Sequence, residues 1–139
     1  MSIVVSDELS KVIKKFLLRR AQDISVLVFE INPENNGLNL EEQHEDVEDL
    51  SDLQEELPDF NPRYLLISYV WQHADGRKSF PLVFVYWSPS GANHLSKMVY
   101  TTNSTIFQQL VSVNHIKTCN DKEELSNEWI EEFLSKFKV

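Results

Sequence analysis

Apolar residues recur at helical spacing close to the start of the chain. Leu9, Ile13 and Phe16 repeat every three or four residues, and Ser6 precedes them in a position suited to cap a helix. The pattern predicts an amphipathic helix over about residues 7–20. The opposite face carries the only concentrated basic stripe of the chain, made by Lys11, Lys14, Lys15 and Arg19.

Runs of β-branched and aromatic residues, separated by turn residues, predict strands. Ile24–Ile31 is almost entirely apolar, as expected of a strand that is covered on both faces. The turn sequence Asn35-Asn36-Gly37 ends this strand, and Leu38–Leu40 can return beside it as a second strand. The acidic run Glu41–Asp49 that follows is interpreted as a solvated loop.

Three further helices are predicted. A capping box that begins at Ser51 opens a short helix to about Leu57. Residues 94–111 form a long helix, in which the poor helix formers Thr101–Thr105 predict a bend or an irregular turn. Ser126 caps a terminal helix. The apolar face of that helix is made by Trp129, Ile130, Phe133, Leu134 and Phe137.

The middle of the chain predicts a long hairpin. Tyr64–Trp71 and Leu82–Trp87 are strongly β-prone and flank a tip at Asp75-Gly76, and residues 113–118 predict a last strand. The resulting order of elements predicts an α/β protein. We expect one domain over residues 1–139, with a central mixed β-sheet of about five or six strands sandwiched by helices.

The composition is that of a globular protein with an acidic surface. Hydrophobic residues make up 42% and charged residues 25% of the 139 residues, and the net charge is −9. Such a charge disfavours nucleic acid, which is bound mainly through Lys and Arg. No stretch reaches the roughly 18 to 20 apolar residues of a membrane span, and no export signal is visible. With a single cysteine, Cys119, we expect a cytosolic protein.

The chain shows no constellation for catalysis or metal binding. Its four histidines, at positions 44, 73, 94 and 115, lie at no metal-ligand spacing, and Cys119 is interpreted as a buried structural residue. His73 is interpreted as a residue of the hairpin tip. The acidic run 41–49 lacks the glycine and ligand spacing of a calcium loop. We therefore expect neither an enzyme nor a cofactor, and a small α/β enzyme with an unrecognised site is the alternative of a different class.

Two motifs carry a family resemblance. The turn Trp87-Ser88-Pro89 follows an apolar strand, and Ser96-Lys97-Met98-Val99-Tyr100 opens the long helix. Together they resemble the actin-depolymerising-factor-homology family, and the resemblance covers essentially the whole chain. It implies that the long helix docks in the barbed-end cleft of actin or an actin-related protein.

Within that family the chain looks most like the glia maturation factors. The supporting stretches are Phe16–Arg20, Glu56–Pro58, Pro62–Tyr64, Gln72–Arg77 and Glu128-Trp129. This resemblance implies binding to the actin-related protein 2/3 complex, debranching of actin filament networks and inhibition of new branch nucleation. A cofilin-type protein that binds and severs filaments is the alternative.

The resemblance also implies which residues touch the partner. The predicted partner-binding surface is made by Ser96, Lys97, Met98, Thr101, Arg19, Arg20 and Ile3. The competing interpretations are that Met98 packs in the core with Leu95 and Val99, and that the two arginines only complement the helix dipole. Tyr100 is expected in the core. The N-terminal residues 2–4 are expected beside the long helix.

A second contact is predicted with the first actin of the daughter filament. Its residues are Arg77, Lys78, Glu131 and Glu132. Cofilins carry basic residues after the hairpin tip and in the terminal helix. At these places this chain has Phe80-Pro81 and Glu131-Glu132, and the preferred interpretation of the two glutamates is that they are solvated. Because actin filaments are acidic, the change of sign favours the branch complex over the filament side.

We expect a monomer at branched, cortical actin structures in the cytoplasm, with no membrane or nucleic-acid partner.

Overall fold

A mixed five-stranded sheet lies at the centre of the molecule in our computed structural model, which describes residues 2–19 and 22–137. The strands are β1 (Ile24–Ile31), β2 (Leu38–Val47), β3 (Arg63–Ser68), β4 (Trp71–Gln72), β5 (Lys78–Ser79), β6 (Leu82–Trp87) and β7 (His115–Cys119). The sheet order is β2-β1-β3-β6-β7, and only β6 and β7 pair in parallel within it. Strands β4 and β5 form a separate two-stranded ribbon.

Helices cover both faces of this sheet. They are α1 (Asp7–Leu17), α2 (His94–Val111) and α3 (Asn127–Leu134), with two 3₁₀ helices at Leu50–Glu56 and Lys122–Glu124. Helices α1 and α2 pack on one face, through a cluster that includes Phe16, Tyr64 and Phe107. The first 3₁₀ helix and α3 pack on the other face. This layering confirms the predicted α/β sandwich. None of the described helices is long and apolar enough to span a membrane.

The caps predicted at Ser6 and Ser126 are present, although the first helix, predicted to about residue 20, ends at Leu17. The Ser6 hydroxyl accepts a hydrogen bond from the Leu9 amide at 3.1 Å, and the Ser126 hydroxyl accepts one from the Trp129 amide at 3.1 Å. Helix α2 starts after Asn93, whose side chain accepts from the Ser96 amide at 2.8 Å. Each side chain satisfies one of the amides that a helix N-terminus leaves without a partner. In α3, Ile130 and Leu134 are buried as predicted, whereas Phe137 lies beyond the helix and is exposed.

The irregular turn predicted at Thr101–Thr105 is absent, because α2 is helical from His94 to Val111. The polar side chains of this stretch bond to the helix itself. The Asn103 amide group donates to the Val99 carbonyl at 2.9 Å, and the Ser104 hydroxyl donates to the Thr101 carbonyl at 2.8 Å. Weak propensity is outweighed here by packing, since Asn103 and Phe107 face the core.

The acidic run was wrongly predicted as a loop. Strand β2 continues to Val47 and pairs with β1 along its length, with irregularities between Ile24 and Val26 and between Val28 and Phe29. It is an edge strand, so its side chains can be charged without being buried. The short helix that follows is capped by Asp49, not Ser51, and its capping box is completed by Asp52.

The predicted hairpin is present. Arg63 pairs with Trp87 and Ser68 with Leu82, so β3 and β6 are antiparallel over their whole length. The ribbon of β4 and β5 extends beyond the Ser68 end of β3 and carries the predicted tip. The last strand is also found, shifted by about two residues to His115–Cys119.

Candidate functional site

The exposed face of α2 is an apolar stripe with very little charge. Leu95 is 73%, Met98 52% and Ile106 37% exposed, and these positions lie along one side of the helix. Lys97 is the only Lys, Arg, Asp or Glu among the 18 residues of α2. We call this surface, made by Leu95, Met98, Thr102 and Ile106, the α2 face. Met98 is therefore not a core residue, which removes the competing interpretation of its role.

The other predicted residues at the start of α2 lie around this face. Ser96 and Lys97 are half-buried, and Thr101 is exposed. The Thr101 hydroxyl lies 3.0 Å from the hydroxyl of Tyr86, which also lies 3.4 Å from the Lys97 carbonyl. These contacts fix the first turns of α2 against β6.

The N-terminal segment lies beside α2, as predicted, but Ile3 is not on the surface. Its side chain is buried in the core, and its amide donates to the side-chain oxygen of Asn103 at 3.1 Å. Val4 bonds in both directions with the β1–β2 turn, since its amide donates to the Asn36 carbonyl at 2.8 Å and its carbonyl accepts from the Leu38 amide at 2.8 Å. The Ile3 side chain therefore belongs to the core, and a contact between Ile3 and the partner stays a prediction.

A groove of about 620 Å³ runs along the first half of α2. The helix side is formed by residues that include Leu95, Met98 and Val99, and the facing side by the end of β1 and the turn that follows it. We call it the α2 groove. Its lining residues are Glu30, Ile31, Pro33, Asn36, Asn61, Arg63, Leu95, Ser96, Met98, Val99, Tyr100, Thr102 and Asn103.

Buried tyrosines hold the floor of the groove. The Tyr100 hydroxyl accepts a hydrogen bond from the Ile31 amide at 2.8 Å, and the Tyr64 hydroxyl donates to the Tyr100 carbonyl. Tyr64 also stacks edge-on against Tyr100, with 5.2 Å between the ring centroids. Burial raises the pKa of both hydroxyls, so they stay protonated at neutral pH. Tyr100 is a core residue, as predicted.

An ion-pair network closes the groove on the side of the sheet. Arg63 donates to both carboxylate oxygens of Glu41, at 3.0 and 2.9 Å, and lies 3.5 Å from Glu30. Its side chain is only 12% exposed. Burial alone would lower the pKa of Arg63, but the hydrogen bond and charge of Glu41 raise it. The guanidinium is thus neutralised by residues of this chain.

The predicted arginines at the end of α1 are placed differently. Arg19 is half-buried, pairs with the carboxylate of Asp23 and lies 3.3 Å from the hydroxyl of Ser68. Burial alone would raise the pKa of Asp23, but hydrogen bonds from the Asp46 amide and Arg19 lower it. Arg19 is therefore engaged within the fold. Arg20 lies outside the described residues.

The residues predicted for a second contact lie at the other end of the sheet from the groove. Arg77 and Lys78 are exposed on the ribbon, with Arg77 only 3.2 Å from Asp75. Glu132 is exposed, but the Glu131 carboxylate accepts a hydrogen bond from the buried Tyr69 hydroxyl. The interpretation of Glu131 as merely solvated is therefore wrong.

The described residues hold no group of three or more His, Cys, Asp or Glu that could bind a metal ion. His73 lies in the ribbon, 2.8 Å from the Ser79 hydroxyl, where the sequence predicted a tip residue. Cys119 is buried at the end of β7, and burial raises the pKa of its thiol to about 12. A thiol with that pKa is a poor nucleophile at neutral pH.

Sequence reasoning missed the groove and the role of Asn103. Both depend on contacts between the N-terminal segment, the β1–β2 turn and α2, which are far apart along the chain. The one usable signal was Asn103 itself, since a polar residue four positions before a buried Phe107 on a helix indicates a specific hydrogen bond.

Comparisons with known proteins agree with the fold. A family model described as cofilin/tropomyosin-type actin-binding protein matches residues 2–135. Glia maturation factor beta of Mus musculus is 30% identical over 133 residues, covering 96% of this chain and 93% of the relative. The solution structure of glia maturation factor from Caenorhabditis elegans matches with a TM-score of 0.82 and 26% identity, over 99% of this chain and 96% of that chain. A Streptomyces griseoflavus cofilin structure shares the fold, with a TM-score of 0.82, 20% identity and coverage of 98% and 99%.

Proposed function

The chain belongs to the cofilin/tropomyosin-type family of actin-binding proteins and is similar to its glia maturation factors, and from this we propose that it regulates branched actin. It binds the actin-related protein 2/3 complex, promotes debranching and inhibits new branch nucleation. It acts as a cytoplasmic monomer at cortical, branched actin networks, by binding alone and without catalysing a reaction.

The observation that carries this proposal is the α2 face. A helix that leaves Leu95 and Met98 largely exposed, next to a single cation at Lys97, is suited to a cleft with apolar walls and an acidic rim. The chain as a whole has a net charge of −9, so the lack of acidic residues on α2 is a local exception. An acidic, actin-like partner meets no negative charge from α2 itself.

Binding by this face can dissociate a branch without hydrolysis of a nucleotide by this chain. A ligand shifts an equilibrium only by its differential affinity for the two states. If the chain binds the separated complex better than the intact branch, it favours debranching. Occupation of the barbed-end cleft also blocks the addition of the first daughter actin, which inhibits nucleation.

The ribbon supports a weaker second contact, with the first actin of the daughter filament. Arg77 and Lys78 are exposed there. The neighbouring Phe80 is 48% exposed and uncharged, and Glu132 on α3 is acidic. This combination supports the branch complex over the side of an acidic filament as the main target.

The test is a pull-down that compares the actin-related protein 2/3 complex with monomeric and filamentous actin. We expect the wild type to retain the complex and the double variant Lys97→Ala/Met98→Ala to lose it by roughly 30-fold or more, the effect of removing a hot spot. Glu55→Ala, exposed on the first 3₁₀ helix on the opposite face of the sheet, is the control. Unchanged affinity of the folded double variant would overturn the assignment of the α2 face.

A cofilin-type protein is the second candidate, because the exposed Arg77 and Lys78 could meet the side of a filament. Cosedimentation with bare actin filaments separates the two candidates. Tight binding to bare filaments, together with fragmentation of those filaments, supports the cofilin type. Retention of the complex with little cosedimentation supports the branch regulator.

A further inference from the structure

We propose that the α2 groove receives one or two bulky apolar side chains from the same subunit that covers the α2 face, so that the two proteins insert into each other. This inference rests on the proposed function and adds what the partner must contribute. The partner subunit must carry an apolar protrusion beside the cleft that takes α2.

The groove and the α2 face cannot be covered separately. Leu95, Met98 and Thr102 belong to both, as exposed residues of the helix and as lining of the groove. A subunit that packs on these side chains therefore also closes the mouth of the groove. The partner of the groove is then the partner of the helix.

The chemistry of the groove selects an apolar group. Ile31, Pro33 and Val99 line it together with Leu95 and Met98, so apolar carbon dominates its walls. Arg63 beneath it is neutralised by Glu41 and Glu30. An incoming charge would find no free opposite charge at Arg63, whereas apolar side chains gain free energy in proportion to the area they bury.

Size and packing also favour an occupied groove. A volume of about 620 Å³ lies within the range of about 300–1,000 Å³ that is typical of ligand pockets. Interfaces with strong binding pack at their centre as densely as protein interiors. If the groove stayed empty under the bound partner, the residues that line it would lose van der Waals contacts. We therefore expect side chains of the partner to fill it.

The groove is also preformed, which lowers the cost of insertion. The Tyr100–Ile31 hydrogen bond, the Asn103–Ile3 hydrogen bond and the pairing of Val4 with the turn fix its walls before any partner arrives. A preorganised pocket spends little binding free energy on ordering its own side chains. The arrangement therefore fits a rigid protrusion of the partner.

Filling the groove from either side tests the proposal. Thr102→Trp places an indole in it from the helix, and Asn61→Trp does so from the facing loop without altering α2. Glu55→Trp adds the same side chain to the exposed surface of the first 3₁₀ helix, on the opposite face of the sheet from α2, and is the matched control. Affinity for the purified actin-related protein 2/3 complex is measured for each, with folding checked by thermal unfolding.

We expect both filling variants to lose roughly 30-fold or more in affinity and the control to bind as the wild type does. If both bind normally while Lys97→Ala/Met98→Ala does not, the proposed function stands and the insertion is overturned. A loss with Thr102→Trp alone indicates a clash at the helix and also overturns it. If Lys97→Ala/Met98→Ala also binds normally, the α2 face is not the binding surface and the insertion is overturned with it. If the wild type does not bind the complex, the proposed function itself fails.

Methyl NMR provides a measurement without substitutions. Ile31 is 5% exposed at the floor of the groove, whereas Met98 is 52% exposed at its rim. Insertion predicts intermolecular contacts from the methyl groups of both residues to the bound complex. Contacts from Met98 without any from Ile31 would overturn the proposal.

Discussion

The side chain of Asn103 binds the backbone amide of Ile3, at 3.1 Å, and thereby fixes the N-terminal segment to the middle of α2. The same carboxamide donates to the Val99 carbonyl at 2.9 Å. Asn103 is only 1% exposed, so both of these bonds are made away from water. One residue thus aligns the N-terminal segment with the helix that carries the proposed binding surface.

Asn103→Ala should destabilise the fold by about 1–3 kcal/mol, because it leaves the Ile3 amide buried without a partner. Urea unfolding measures the loss, and faster hydrogen exchange of the Ile3 amide should accompany it. Ser104→Ala removes only a bond within the helix, from its hydroxyl to the Thr101 carbonyl, and should cost about 0.5 kcal/mol or less. Equal costs for the two variants would contradict this role of Asn103.

Tyr100→Phe should cost about 1–3 kcal/mol, since the Ile31 amide loses its acceptor in a buried site. Tyr64→Phe removes only a donor to the Tyr100 carbonyl, which lies inside a helix, and should cost at most about 1.5 kcal/mol. Denaturant unfolding of the two variants gives the comparison. A larger loss with Tyr64→Phe would show that the hydroxyl of Tyr100 is not the main support of the groove floor.

Glu131 and Glu132 should behave differently although they are adjacent. Glu131→Ala leaves the hydroxyl of Tyr69 without an acceptor in the core and should cost about 1–3 kcal/mol. Glu132 is exposed, and Glu132→Ala should change the stability by about 0.5 kcal/mol or less. Thermal unfolding of both variants tests this. If Glu131→Ala is as stable as the wild type, the hydrogen bond to Tyr69 contributes little, and Glu131 can be interpreted as a surface residue that is free to contact a partner.

The free energy of unfolding should fall below about pH 4, and protonation of Asp49 should contribute to this loss. Burial alone would raise the pKa of Asp49, but hydrogen bonds from the Ser51 amide at 2.9 Å and the Asn127 amide at 3.2 Å lower it. A carboxyl with a lowered folded-state pKa stabilises the fold above its unfolded pKa of about 3.9, and this contribution is lost as the pH falls through the folded value. Asp49→Asn should therefore reduce the difference in unfolding free energy between pH 6 and pH 3. An unchanged difference would exclude Asp49 as a contributor.

Lys97→Glu should slow association with the actin-related protein 2/3 complex by about tenfold at low salt, because it reverses the single formal charge that α2 carries. The difference from the wild type should shrink as salt is added, since exposed charges are screened. Lys136→Glu, just beyond α3, changes the net charge by the same amount away from α2 and is the control. If stopped-flow measurements give the same decrease in association rate for both variants, net charge and not a local contact of Lys97 is the cause.

Local patterns predicted much of the fold. The span of α2 and the extent of β1 follow from hydrophobic periodicity and turn residues within a few positions. Strand β2 could not be bounded this way, since an edge strand carries charges like those of a loop. Its extension beyond Leu40 depends on pairing with β1, which supplies the backbone partners.

The site was predictable only in part. Exposure of Met98 followed from the family resemblance and not from periodicity, which placed it equally well in the core. The burial of Ile3 and the engagement of Glu131 depend on Asn103 and Tyr69, which lie 100 and 62 positions away in sequence. Sequence spacing carries no information about such contacts until the topology is known.

The acidic edge strand β2 has a consequence for self-association. Val4 covers the start of its outer side, the rest of that side leaves backbone groups open for pairing, and the nearby carboxylates of Glu45 and Asp46 are exposed. If two copies met edge to edge, carboxylates would face each other across the new ladder, and like charges opposite each other destabilise a sheet. The strand that was predicted as a solvated loop should therefore disfavour edge-to-edge, fibre-like stacking of copies of the chain.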